Sequence, residues 1–319
     1  MQEDRIQDFV DFVEARHRIW ERREAGLTPW SEDPVFQTAK FCNVFRVMDY
    51  GSQYAVRDLY GGSDYTATDA MLRAFLYRYL NRPEPFEHFH AVTGTHPTVA
   101  ALEDGILRQE FLAFQDDGGK CFGGAYLMGQ GTDNKGMRRL DWVFDRAEDL
   151  VRIADQIHDQ DRQEDRLAVM SQIPRSGGFI SMQVLVDFDY TAYGVDREND
   201  FATLGPGARK GLDALGWDPA TDDALDLMRS LQDRLHASPG CPELALPGGS
   251  VRKPSLTDTQ NCLCEYGKYV KYQTAGVVPS NRKFRPKRDQ TGVGIVTPPA
   301  WSSAGFASAG HLGNNSIGV

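Results

Sequence analysis

Residues 173–212, IPRSGGFISMQVLVDFDYTAYGVDRENDFATLGPGARKGL, constrain the fold more than any other stretch of the chain. Two glycine-rich turns, Ser176-Gly177-Gly178 and Gly205-Pro206-Gly207, each precede residues able to open a helix. At such a junction the first backbone N–H groups lack intrahelical partners and the helix dipole adds partial positive charge. Each turn is therefore a seat for phosphate or another anion. Between the turns lie an apolar run, Phe179 to Val186, and four aspartates, Asp187, Asp189, Asp196 and Asp200. The plainer reading is a pair of loop-to-helix junctions with capping acids.

The 319 residues suffice for one large domain or two medium ones with a sizeable core. A net charge of −10, from 45 acids against 35 Lys and Arg, excludes a protein that holds nucleic acid with its whole surface. Any DNA contact must come from a local basic patch. The five cysteines are odd in number and form no CxxC pair, so neither zinc nor a disulfide framework is expected, and a reducing compartment is. The charged start MQEDRIQDF lacks an apolar segment, and no run is long enough to span a membrane. The expectation is a cytoplasmic protein with no membrane partner.

Helical spacing dominates the chain. Ile6, Phe9, Val10, Val13 and Ile19 share one face of a helix over 4–25, stopped by Gly26 and Pro29. Ser31 or Asp33 can cap a second helix with Pro34 at its first position. Continued through the forties, that helix places Lys40, Asn43, Arg46 and Asp49 among aromatic residues, as a pocket lining would be. Further helices are predicted over 69–80, as two short pieces in 96–115, and over 139–158, 166–186, 206–236 and 256–271. Residues 120–133 fit either an extended segment or a loop and helix. Beyond Thr274 the composition turns to Gly, Pro, Ser and Asn, opening with the basic cluster Arg282, Lys283, Arg285, Lys287 and Arg288. The fold class expected is mainly α: one helical domain, 1–273, with an irregular tail, 274–319, that wraps it or stays mobile.

Several kinds of machinery are missing from the sequence. Gly118-Gly119-Lys120-Cys121 lacks the leading Gly and the hydroxyl residue of a Walker A loop, and no HExxH, GxGxxG or GxSxG occurs. No metal ligand set is expected. Three polar elements remain. The first is Lys40, Asn43, Arg46 and Asp49. The second is the two-turn segment, with Gln183, Asp187, Asp196, Asp200, Arg209 and Lys210. The third is Cys262-Leu263-Cys264-Glu265-Tyr266-Gly267-Lys268-Tyr269, where Glu265 and Lys268 lie on one helix face. Taken singly, each also fits a purely structural role.

Taken together and in order, these elements resemble the phage α-glutamyl/putrescinyl-thymine pyrophosphorylases. Those are amino-acid:DNA transferases whose helical domain also occurs in 5-hydroxymethyluracil DNA kinases. The resemblance rests on RHRIWERREAG-LTPWSEDPVFQTAKFCNVFRVMD (16–49), RSGGFISMQVLVDFDY (175–190), LGPGARKGL (204–212) and CLCEYGKYVKY (262–272), and covers about residues 5–273. The order Pro, glycine turn, helix, then Asp is also similar to the helix-hairpin-helix DNA glycosylases, which flip a base into a pocket.

The resemblance implies DNA carrying 5-(pyrophosphomethyl)uracil as substrate. An amino acid (glycine or glutamate) or a polyamine such as putrescine would be co-substrate, with pyrophosphate as product and no cofactor. It implies a leaving-group site drawn from Lys40, Arg46, Lys210 and the Gly205–Gly207 turn. Asn43 and Gln183 would frame the uracil edge, and Asp49, Glu265 and Lys268 would join the binding site. Asp200, Asp196 or Asp187 would take a proton from the amine. Arg282, Lys283, Arg285 and Lys287 would contact the DNA backbone. The alternatives are a glycosylase-like hydrolase, and a reader of modified DNA that does no chemistry.

Overall fold

A computed structural model describes residues 2–62, 64–124, 138–218, 223–284 and 294–302. Among these the chain forms thirteen α-helices and one two-residue hairpin, so the mainly α expectation holds. In chain order the helices are α1 (Gln2–Glu24), α2 (Pro34–Thr38), α3 (Tyr50–Tyr54), α4 (Ala67–Leu80), α5 (Glu84–Thr93), α6 (Val99–Glu103), α7 (Ile106–Asp116), α8 (Arg139–His158), α9 (Gln163–Met170), α10 (Gly178–Asp189), α11 (Pro206–Leu215), α12 (Ala224–Ala237) and α13 (Leu256–Ala275). The hairpin pairs β1 (Leu244–Ala245) with β2 (Val251–Arg252), antiparallel. No described helix is long and apolar enough to cross a membrane.

Two helices form the interior. Every residue of α4 from Asp69 to Leu80 is buried, as is every residue of α10 from Ile180 to Asp189. A helix apolar on all faces has to be surrounded; here α4 and α10 pack on each other while α8 and α9 cover them. Helix ends follow local chemistry. Thr66 and Asp69 form a capping box before α4, and Ser255 with Asp258 forms another before α13. Asp33 accepts hydrogen bonds from Val35 and Phe36 N–H, with Pro34 in the first turn of α2. The helix predicted to run on through the forties instead ends at Thr38, and residues 40–45 are not helical.

The first glycine turn lies between α9 and α10, so two helices joined by a turn occupy residues 163 to 189, where the sequence resembles a helix-hairpin-helix element. The second starts α11, which lies on α13 at nearly backbone contact. A methyl group at Gly207 would overlap Cys264 Sγ, one at Gly211 would overlap the Leu263 carbonyl, and one at Gly267 would sit 2.8 Å from Gly211 N. Gly205 packs under Phe179, whose ring would lie 2.6 Å from a side chain there. These glycines serve close helix packing, and through Phe179 the two turns are neighbours.

The tail crosses the helical body in two pieces. Phe284 N–H donates to Thr38 O, Lys40 N–H donates to Arg282 O, and the Arg23 guanidinium lies over the Trp30 and Phe284 rings. Further along, Val296 N–H donates to Gln53 Oε1, and Trp301 is buried against Tyr190 and Arg252.

Candidate active site

Residues 40–49 have little regular structure, so distant side chains set their shape. Cys42 N–H donates to Glu265 Oε2 (3.0 Å), and Asn43 N–H to Asp49 Oδ1 (2.9 Å). The Asn43 amide donates to Met48 O (2.9 Å). From α1, buried Arg16 donates through Nε to Cys42 O (2.8 Å) and through Nη2 to Asn43 Oδ1 (3.0 Å). Lys268 sits 2.5 Å from Glu265 Oε2 with its ammonium 5.0 Å from the Phe41 ring centre. The structure thus gathers Asn43, Asp49, Glu265 and Lys268 into one polar cluster.

Asp49 is the reactive-looking member. It is half-buried, and the surrounding protein raises its carboxyl to about 6 by desolvation, against the Asn43 N–H and the Arg16 charge, which pull it down. A carboxylate titrating there is a better proton acceptor than an exposed one. Its Oδ2 has no hydrogen bond from another described residue.

Several cations lie near Cys264, the neighbour of Glu265 on α13. Lys40 and Lys210 are exposed, Arg282 and Lys283 are exposed, and Lys40 is held to Arg282 through the backbone. Burial pushes the Cys264 thiol up to about 11, Glu265 adds to this, and the charges of Lys268, Lys210 and Arg282 oppose it. Arg285 and Lys287 lie outside the described residues.

Other predicted residues occupy a second, buried centre. Asp187, 1% exposed, accepts from Arg46 Nη2 (2.7 Å) and from Arg78 Nε and Nη2 (2.8 and 2.7 Å). The Arg46 guanidinium lies 5.5 Å from the Tyr190 ring centre, and Arg46 N–H donates to Asp258 Oδ1 (2.8 Å). Gln183 is buried one turn before Asp187 on α10. Asp196 is paired with Arg252, which also holds buried Glu198 at 2.6 Å. Asp200 is exposed and its carboxylate is hydrogen-bonded to neither centre. It lies at a shallow cleft with Asp161, Gln163 and Arg229, and burial raises its carboxyl, Arg197 opposing.

Four residues outside the expected set organise these centres: Arg16, Arg78, Asp258 and Arg252. Their signal in the sequence is charge inside apolar or capped segments, such as Arg78 within MLRAFLYRYL, which has to find a buried partner. Among the described residues no group of three or more His, Cys, Asp or Glu is placed to hold a metal ion.

The sequence matches the family described as 5-hmdU DNA kinase, helical domain, over residues 3–277. A 5-hmdU DNA kinase of Bacillus phage SP10 is 23% identical over 302 residues, an alignment covering 83% of this chain and 44% of the relative. The chain therefore spans less than half of that relative's length. No solved structure matches. With nearly all of its helical body inside the match, the chain belongs to the family of the 5-hmdU DNA kinase helical domain.

Proposed function

We propose that this protein is a DNA-modifying transferase acting in thymine hypermodification. It displaces pyrophosphate from 5-(pyrophosphomethyl)deoxyuridine in DNA with the amine of an amino acid or polyamine. Two features favour transfer over phosphorylation by these residues: the match is to a helical domain, and the 319 residues contain no Walker A loop. The observation that carries the reading is Asp49, a half-buried carboxylate raised to about 6 in one polar cluster with Asn43, Glu265 and Lys268.

In this reading the incoming ammonium gives a proton to Asp49, and the freed nitrogen lone pair attacks the exocyclic methylene carbon. The bond from that carbon to the pyrophosphate oxygen breaks as the new C–N bond forms. Lys40, Lys210, Lys268 and Arg282 take the charge growing on the leaving pyrophosphate. Asn43 and Glu265 hold the cluster's geometry. Asp200, with its raised carboxyl, is the second candidate for the base. Asp187 and Asp196 are engaged by guanidinium groups and are assigned structural roles. Arg46 and Gln183 shape the site from the core.

The test is mass spectrometry of nucleosides from pyrophosphorylated DNA incubated with the protein and glycine, glutamate or putrescine. An amine-substituted thymidine with stoichiometric pyrophosphate is expected. Unchanged DNA with every amine would refute transfer, and abasic sites would instead assign a glycosylase-like hydrolase, a reading that the 163–189 helix-hairpin-helix element favours.

A further inference from the structure

The segment that carries Asp49 has little regular structure of its own, and the tail touches it at both ends. Before it, Ala39 pairs antiparallel with Lys283: Lys40 N–H donates to Arg282 O (2.9 Å) and Phe284 N–H donates to Thr38 O (2.8 Å). Beyond it, buried Gln53 grips the tail backbone with its side-chain amide. Oε1 accepts from Val296 N–H (2.9 Å) and Nε2 donates to Val296 O (2.9 Å). Nε2 also donates to Val47 O (2.9 Å), and Gln53 N–H donates to Asp49 O (2.9 Å). Both amide hydrogens and the amide oxygen of one side chain are therefore used, which a carboxylate or an apolar side chain could not reproduce. Gln53 joins the tail to the two residues, Val47 and Asp49, that shape the turn.

A second anchor holds the tail in place. Residues 294–302 contain only the single helical turn Pro299–Trp301, so side-chain contacts have to fix them. The buried Trp301 ring centre lies 3.9 Å from the Arg252 guanidinium carbon and 5.8 Å from the Tyr190 ring, which it meets edge-on. These partners are themselves locked. Asp196 and Glu198 accept from the Nη atoms of Arg252, so its flat face is left for the indole. The Tyr190 hydroxyl donates to Glu198 (2.9 Å), and its ring lies 5.5 Å from the Arg46 guanidinium. Trp301 thus packs on the ring that borders Arg46, while Val296 is bound to Gln53.

We propose that residues 294–302 are an intramolecular brace for the Asp49 segment. Trp301 locks the tail onto Arg252 and Tyr190, and Gln53, held by Val296, is a positioning residue for the turn from Val47 to Asp49. The catalytic part of this role rests on the transfer reading; the brace itself does not.

Hydrogen exchange on the full chain, followed by mass spectrometry without DNA or amine, tests the brace. Trp301→Ala should speed exchange of the hydrogen-bonded amides in 42–53 by about tenfold or more, with α4 and α10 unchanged, as local opening requires. Trp301→Phe, which keeps a ring on Arg252, should restore most of the protection. Gln53→Met keeps the side chain's length, removes its amide and should open 47–53 in the same way. Parent-like exchange in either Trp301→Ala or Gln53→Met overturns the proposal. Faster exchange spread equally through α4 and α10 also overturns it, by assigning these residues to overall stability. In the transfer assay both variants should lower kcat several-fold with little change in KM for DNA; an unchanged kcat would remove Gln53 from its positioning role. A parent protein that transfers no amine would refute the transfer reading and leave the exchange result standing.

Discussion

Asp187 offers the sharpest separation of structure from chemistry. Its carboxylate accepts three hydrogen bonds of 2.7–2.8 Å from Arg46 and Arg78 at a site 1% exposed to solvent. Asp187→Asn keeps shape and volume but removes the charge and turns an N–H₂ group toward a guanidinium. Two buried cations then lose the carboxylate that joins them. Breaking a buried pair in this way costs about 3–5 kcal/mol. At about 2 °C per kcal/mol for a chain of this size, Tm should fall by roughly 6–10 °C. Urea unfolding followed by far-UV circular dichroism, with calorimetry for Tm, measures both. Replacing the whole triad with apolar side chains, Asp187→Leu with Arg46→Met and Arg78→Met, should recover part of the loss, because well-packed isosteres avoid the desolvation cost. A loss below about 1 kcal/mol in Asp187→Asn would refute the buried-lock account. If that variant also lost transfer activity, Asp187 would return as a chemical group.

Asp49→Asn should lower transfer by about two orders of magnitude or more while DNA binding persists, as expected for loss of a general base. In the parent protein the rate should rise with pH through about 6, where Asp49 loses its proton, and that limb should vanish in the variant; a retained limb would place the base elsewhere. The same raised carboxyl predicts that folding stability is highest below about pH 4 as far as Asp49 is concerned, and that this contribution is lost as pH rises through about 6. Comparing urea midpoints of parent and Asp49→Asn across that window isolates it. Lys210→Gln with Lys268→Gln should weaken DNA binding similarly on all sequences and flatten its salt dependence by about one unit per lost phosphate contact; an unchanged slope would remove these cations from the interface. Neutralising Lys283, Arg285 and Lys287 together tests the tail in the same assay. Gly211→Ala drives a methyl into the Leu263 carbonyl and should cost roughly 1–3 kcal/mol, read as a lower urea midpoint.

What the sequence revealed follows the range of the forces involved. Local signals were legible: the 139–158 helix has its predicted bounds, and Asp33 with Pro34 opens α2. Breaks inside predicted helices were harder to see. The 166–186 stretch divides at Pro174 and Arg175, where φ is +62°, and the 206–236 stretch divides at Gly216, where φ is +85°. α5 lay outside the predicted helices: Pro83 is its N-cap and Pro85 sits in its first turn, where no backbone donor is needed. The polar residues around Asp49 were recognisable by type and by their aromatic surroundings. Their partners were not, since Cys42 meets Glu265 across 223 residues and Arg46 meets Asp187 across 141.

Helix α13 accounts for how a segment with so little regular structure can hold a site. Asp258, Cys262 and Glu265 are spaced four and three residues apart, so they share one face. That face meets residues 42–46 in order: Glu265 takes Cys42 N–H, Cys262 lies on Val44 O, and Asp258 takes Arg46 N–H. The antiparallel match fixes Asp49 on one side and the Arg46 guanidinium on the other, toward Asp187. On its opposite side α13 is packed on α11 through Gly207, Gly211 and Gly267, which leaves the helix no room to slide. The glycine turn that first suggested an anion site therefore positions Asp49 and Lys268 through packing. Substitutions at Gly207 or Gly211 should disturb the site even though neither residue touches Asp49's hydrogen-bond network.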